Sequence, residues 1–166
     1  MAKRHSPSEV HAYSHILVEL LGKKGWNKKQ IFTQQECLTI KPIADALGQT
    51  HPENIVQLGE TSYYVIEAKN ERAKVGQALK EAREDYADLI NGSNVIKAPF
   101  ITGIAGNSDE GFIAASQFFK DGKWLTITEN DIEITWLLSR AQIDRILAEH
   151  TPNLKDVEID ALNKLL

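Results

Sequence analysis

Apolar residues recur at three- and four-residue steps near the start of the chain: Val10, Tyr13, Ile16, Leu17, Leu20 and Leu21 form one stripe that opens at Ser8-Glu9. Gly22 and Gly25 bring that stripe to a close, so the spacing predicts a helix with one face packed on a sheet. Residues 30–40 carry the β-formers Ile31, Phe32, Thr33, Leu38, Thr39 and Ile40, an opening strand or extended segment, and a short helical turn follows over 42–47. Strand patterns then take over, over 54–58 and 63–69, separated by the turn-forming residues Gly59-Glu60-Thr61-Ser62. Helical spacing returns over 73–90, where Val75, Leu79, Ala82, Tyr86, Leu89 and Ile90 form a stripe that Asn91-Gly92 terminates. Strands are expected over 100–105, 111–119 and 124–127, the last two joined by Asp121-Gly122. Residues 132–138, 141–148 and 156–166 read as helices, interrupted by Thr151-Pro152-Asn153.

A strand, a long helix and a second strand imply a parallel pair joined by a right-handed crossover, with antiparallel strands added on either side. The expected fold is α/β, a mixed central sheet flanked by helices with a helical C-terminal segment. The chain divides on this reading into a sheet-containing domain over 1–130 and a helical extension over 131–166 that leads into a further region. The last helix stops without a capping residue, which suggests an excised piece of a longer protein. At 166 residues and 42% hydrophobic content, the chain can bury a substantial core.

Chemistry concentrates at the central hairpin. Side chains alternate between sheet faces, so Glu67 and Lys69 share a face with Tyr63 and Val65, while Tyr64, Ile66 and Ala68 share the other. If a three-residue loop spans 59–61, residues whose numbers sum to 120 lie opposite one another, and Glu53 faces Glu67. Like charges placed opposite are destabilising, and a divalent cation between them relieves the repulsion. A register one residue off would send Glu53 to the other face. The bland reading of Glu67 and Lys69 is an exposed ion pair at a strand end.

Pro52-Glu53 followed by Val65-Ile66-Glu67-Ala68-Lys69 resembles the PD-(D/E)XK nuclease superfamily, in particular the N-terminal nuclease domains of type I and type IIG restriction enzymes. The first helix leading into Gly25-Trp26 agrees with that pattern. The resemblance implies a restriction-endonuclease-like fold and a Mg²⁺-dependent endonuclease acting on DNA, with Mn²⁺ as a possible substitute. Glu53, Glu67 and the backbone carbonyl of Ala68 would hold the ion, and Lys69 would orient the attacking water and stabilise charge on the phosphate. Glu9 is either a helix-start carboxylate favoured by the dipole or a ligand acting through water. Two departures stand out. Glu53 replaces the usual Asp and reaches one methylene further, and the Gln that many such enzymes carry four residues before a helical Tyr is Ala82 here, with Gln77 lying earlier. Tyr86 reads as a core aromatic.

Family members commonly continue into a helicase or methyltransferase, and breaking both strands requires two centres, so those domains and a homodimer are the partners implied. The competing class is a catalytically inactive nuclease-fold module for DNA binding or assembly. A third is an unrelated α/β scaffold with a chance match.

The net charge of −4 argues against a global positive field for DNA. Local clusters oppose it: Lys3, Arg4, Lys23, Lys24, Lys28 and Lys29 early on, and Arg72, Lys74, Lys80 and Arg83 after the motif. The single Cys37 has no partner for a disulfide or a zinc site, and the helical pair His11 and His15 reads as surface. With no apolar run of about 18 residues and no secretory leader, the expected compartment is the cytoplasm.

Overall fold

The computed structural model describes residues 17–150. Six strands form one sheet in sequence order: β1 (Ile31–Thr33), β2 (Asn54–Gln57), β3 (Ser62–Lys69), β4 (Lys97–Asn107), β5 (Gly111–Lys120) and β6 (Lys123–Thr126). Every neighbouring pair is antiparallel except β3 and β4, which are parallel and joined through a long helical segment. A mixed α/β architecture with helices on the sheet faces is thus the observed class. The β2–β3 register pairs Asn54 with Ile66, Ile55 with Val65, Val56 with Tyr64 and Gln57 with Tyr63, each sum being 120, as the three-residue loop requires.

Two apolar layers cover the sheet. On one face Tyr64 and Ile66 of β3 and Phe100 and Ile104 of β4 pack against Leu17 and Leu21 of the first helix, α1, which is described over 17–23. Trp26 belongs to the same layer, with its indole N–H donating to the Leu138 carbonyl at 2.9 Å. On the other face Ile55, Tyr63, Val65 and Ile101 meet Ile43 and Leu47 of α2 (Lys41–Leu47) and the helices that come after β3. Each aliphatic side chain buried in these layers contributes about 1.5–3 kcal/mol relative to exposure.

The helix expected over 73–90 is present but not uniform. A 3₁₀ turn at Arg72–Lys74 leads into α3 (Val75–Glu81), a π segment spans Ala82–Ala87, and α4 (Asp88–Gly92) completes it. The π segment adds a residue to one turn and rotates the residues beyond it, so Ala78, Ala82, Tyr86, Ala87 and Ile90 are buried whereas Leu89 is exposed. Residues 30–40 hold the short β1 and a 3₁₀ turn at Glu36–Thr39 in place of one extended strand.

The helical reading of residues 132–138 is overturned. Thr128–Glu129 and Ile132–Glu133 form a small hairpin, β7 and β8, across Asn130 and Asp131, which both adopt left-handed backbone angles, φ 54° and 64°. Residues 134–139 then run as a non-helical strap whose Ile134, Leu137 and Leu138 enter the first core layer. Apolar residues that an extended strap inserts one at a time mimic helical periodicity. The last described helix, α5 (Arg140–His150), starts with a reciprocal cap, Gln142 N–H to Ser139 Oγ at 3.0 Å and Ser139 N–H to Gln142 Oε1 at 2.9 Å, and buries Ile143 and Ile146 in the same layer. The expected helix over 156–166 and most of the one opening at Ser8 lie outside the described residues.

A buried hydroxyl chain pins the strap to the sheet. Ser116 Oγ donates to the Trp136 carbonyl at 2.9 Å, so its own oxygen must accept from Thr102 Oγ1 at 2.6 Å. Thr102 must then accept from Tyr64 Oη at 2.5 Å, and Tyr64 accepts from the Leu138 N–H at 3.1 Å. Each hydroxyl has one proton to give, so the chain runs in one direction from strap to strap across β3, β4 and β5.

Candidate active site

The opposite sheet face carries the carboxylates. Alternation along β3 puts Glu67 and Lys69 on the side of Tyr63 and Val65, beneath α3 and the π segment. Glu67 is only 8% exposed, and its Oε1 accepts from its neighbour Ala68 N–H at 3.0 Å and from Glu53 N–H across the hairpin at 3.2 Å. Glu53, half-buried, sits one step beyond the Asn54–Ile66 pair, where the register sets it opposite Glu67. Glu53, Glu67, Ala68 and Lys69 therefore stand together at one end of β2 and β3. Glu9 lies outside the described residues.

Burial pushes the Glu67 carboxyl from its ordinary 4.5 up to about 7. The Ala68 N–H pulls it down, the charges of Glu53 and Glu81 push it up, and the Lys69 ammonium pulls it down. Burial is also the leading cause of the raised Tyr86 phenol, reinforced by the Glu67 charge and by the hydrogen bond its hydroxyl donates to Glu67. Burial pushes the Cys37 thiol up to about 12, with the Glu36 and Glu53 charges adding to it. A thiol held so firmly protonated is not a nucleophile at neutral pH.

Two groups that sequence spacing does not single out complete the site. Glu81, the last residue of α3, holds Lys69 in an ion pair at 2.6 Å, with the two side chains 25% and 28% exposed. Tyr86, expected only as a core aromatic, is buried and bonded to Glu67. Both approach because α3 lies directly on β4 at Gly103, the register partner of Glu67. A Cβ at Gly103 would fall inside the backbone of Ala78 and Leu79. A glycine at a close backbone approach is the one signal for them that the sequence holds.

Glu53, Glu67 and Glu81 set against Lys69 leave a surplus of two negative charges when all are ionised. Hard oxygen donors with that surplus suit a small divalent cation, which takes a few protein oxygens and keeps its remaining waters. Among the described residues no three His, Cys, Asp or Glu side chains are grouped as a self-sufficient metal cluster. Two carboxylates and a carbonyl would hold an ion only with water completing the shell.

No family model, curated protein or solved structure matches the chain. Fold and site alone define the class: a mixed α/β domain with opposed carboxylates and a lysine at one end of a central hairpin. Among the described residues no helix is long and apolar enough to cross a membrane.

Proposed function

We propose that this chain is a Mg²⁺-dependent endodeoxyribonuclease domain of the PD-(D/E)XK type, with a restriction-endonuclease-like sheet, acting as part of a restriction-modification enzyme. The observation that carries the reading is the β2–β3 register, which sets Glu53 opposite Glu67 with Lys69 on the same face. Glu53, Glu67 and the Ala68 carbonyl hold the ion, which supplies Lewis acidity toward the scissile phosphate and a more acidic water. Lys69 positions the attacking water and offsets charge developing on the phosphate oxygens. Glu67 must release its proton to serve as a ligand, so the ion-free protein holds it ready only near or above pH 7, and below that the ion has to displace the proton. Arg72 and Lys74, just beyond Lys69, face the solvent where a phosphate backbone would pass. A motor or methyltransferase in the same polypeptide or complex supplies target selection, and two centres must meet to break both strands.

A second reading draws on two observations. Lys69 is already engaged by Glu81, and Glu67 retains a proton near neutrality, a state suited to a nuclease fold kept for DNA binding or assembly. Incubation of supercoiled plasmid with the protein and Mg²⁺ or Mn²⁺ separates the two. The nuclease reading predicts nicked or linear product that depends on the ion and falls by roughly 10²-fold or more in Lys69→Ala. No cleavage with either ion, or cleavage that Lys69→Ala leaves intact, rejects it.

A further inference from the structure

Glu81 and Tyr86 are five residues apart, which on an α-helix would leave them about 140° apart around the axis. Both nevertheless reach the same site, Glu81 to Lys69 and Tyr86 to Glu67. The π segment Ala82–Ala87 begins at the residue after Glu81 and encloses Tyr86, and its wider turn, closed by i→i+5 hydrogen bonds, swings residues five apart toward one face. The helix cannot adjust by moving further onto the sheet, because Gly103 already brings the α3 backbone as close as a side-chain-free residue allows. We propose that the expanded turn absorbs one surplus residue and thereby makes Glu81 and Tyr86 a pair of positioning residues: Glu81 fixes the Lys69 ammonium and Tyr86 fixes the Glu67 carboxyl.

The pair deepens the nuclease reading and takes its chemical meaning from it, but its existence is open to a separate test. Absorption of a surplus residue means that an exposed residue of the π segment is removable. Deleting Glu84 leaves Glu81 and Tyr86 four positions apart on an ordinary α-helix, one above the other on the same face. The flanking helices keep their seats on the sheet.

The experiment acylates the lysines of the whole chain with an N-hydroxysuccinimide ester and follows each by mass spectrometry, with the 85%-exposed Lys41 as internal reference. Glu81→Gln is expected to accelerate labelling of Lys69 severalfold relative to Lys41, whereas deletion of Glu84 leaves the protein folded and Lys69 as protected as in the wild type. In the plasmid assay Glu81→Gln lowers kcat by roughly a hundredfold with KM for DNA unchanged, the mark of a misplaced group and not of lost binding. Unchanged labelling of Lys69 in Glu81→Gln overturns the pairing. A Glu84 deletion that unfolds, or that exposes Lys69, overturns the absorption of a surplus residue. If the wild type cuts no DNA, the nuclease reading fails, and the labelling result alone decides the positioning.

Discussion

Replacing Glu67 by glutamine removes a charge while keeping the shape of the side chain, and at alkaline pH it should make the protein more stable. The amide oxygen still accepts from Glu53 and Ala68 N–H, and the Tyr86 hydroxyl can turn to accept from the new amide. The change removes the cost of ionising a carboxyl that is 8% exposed and flanked by the charges of Glu53 and Glu81. Folding raises this group from 4.5 to about 7, so its contribution to stability is fully present below pH 4.5 and is lost as the pH climbs through 7. The loss amounts to about 3 kcal/mol above both values. Glu67→Gln escapes it, and should therefore exceed the wild type by about 3 kcal/mol at pH 8 without divalent ions and match it near pH 4, where both side chains are neutral. For a chain of this length that gain corresponds to a Tm increase of roughly 6–12 °C. Urea unfolding in EDTA at both pH values, followed by tryptophan fluorescence, measures the two differences directly. A variant that is destabilised at pH 8, or one whose advantage is the same at both pH values, would refute the assignment of Glu67 as a desolvated acid.

Two further substitutions probe how the fold supports the site. Gly103→Ala forces a methyl group into the Ala78–Leu79 backbone and should cost about 3 kcal/mol or more while parting Glu81 from Lys69; thermal unfolding without a loss of that size would show that α3 sits less tightly on β4 than described. Thr102→Val interrupts the one-way hydroxyl chain and leaves the Tyr64 proton without an acceptor, a loss of about 2 kcal/mol in denaturant unfolding. An isosteric change of no consequence there would mean the strap is held by its apolar residues alone.

How much of the fold and site is legible in the sequence depends on the range over which each signal acts. The hairpin is readable because a short loop fixes register, and register fixes which side chains face each other, so the Glu53–Glu67 opposition comes from counting. Glu81 is not readable from spacing, since α-helical periodicity turns it away from Tyr86 and the π segment that brings the two to one site leaves no mark in the apolar pattern. Leu89 falls in the expected buried stripe for the same reason and is exposed. The strap over 134–139 is mistaken for a helix because apolar spacing alone does not separate a helix from an extended segment feeding a core, although Asn130-Asp131 carries the chemistry of a tight turn.

A cation shared by two carboxylates across the hairpin is the centre of the proposed chemistry, and anomalous diffraction from crystals of the whole chain grown with Mn²⁺ looks at that directly. One strong anomalous peak is predicted within coordination distance of the Glu53 and Glu67 carboxylates and the Ala68 carbonyl, absent from crystals of Glu67→Gln. A peak that survives Glu67→Gln, or no peak between Glu53 and Glu67 at saturating Mn²⁺ above pH 7, would contradict a shared ion.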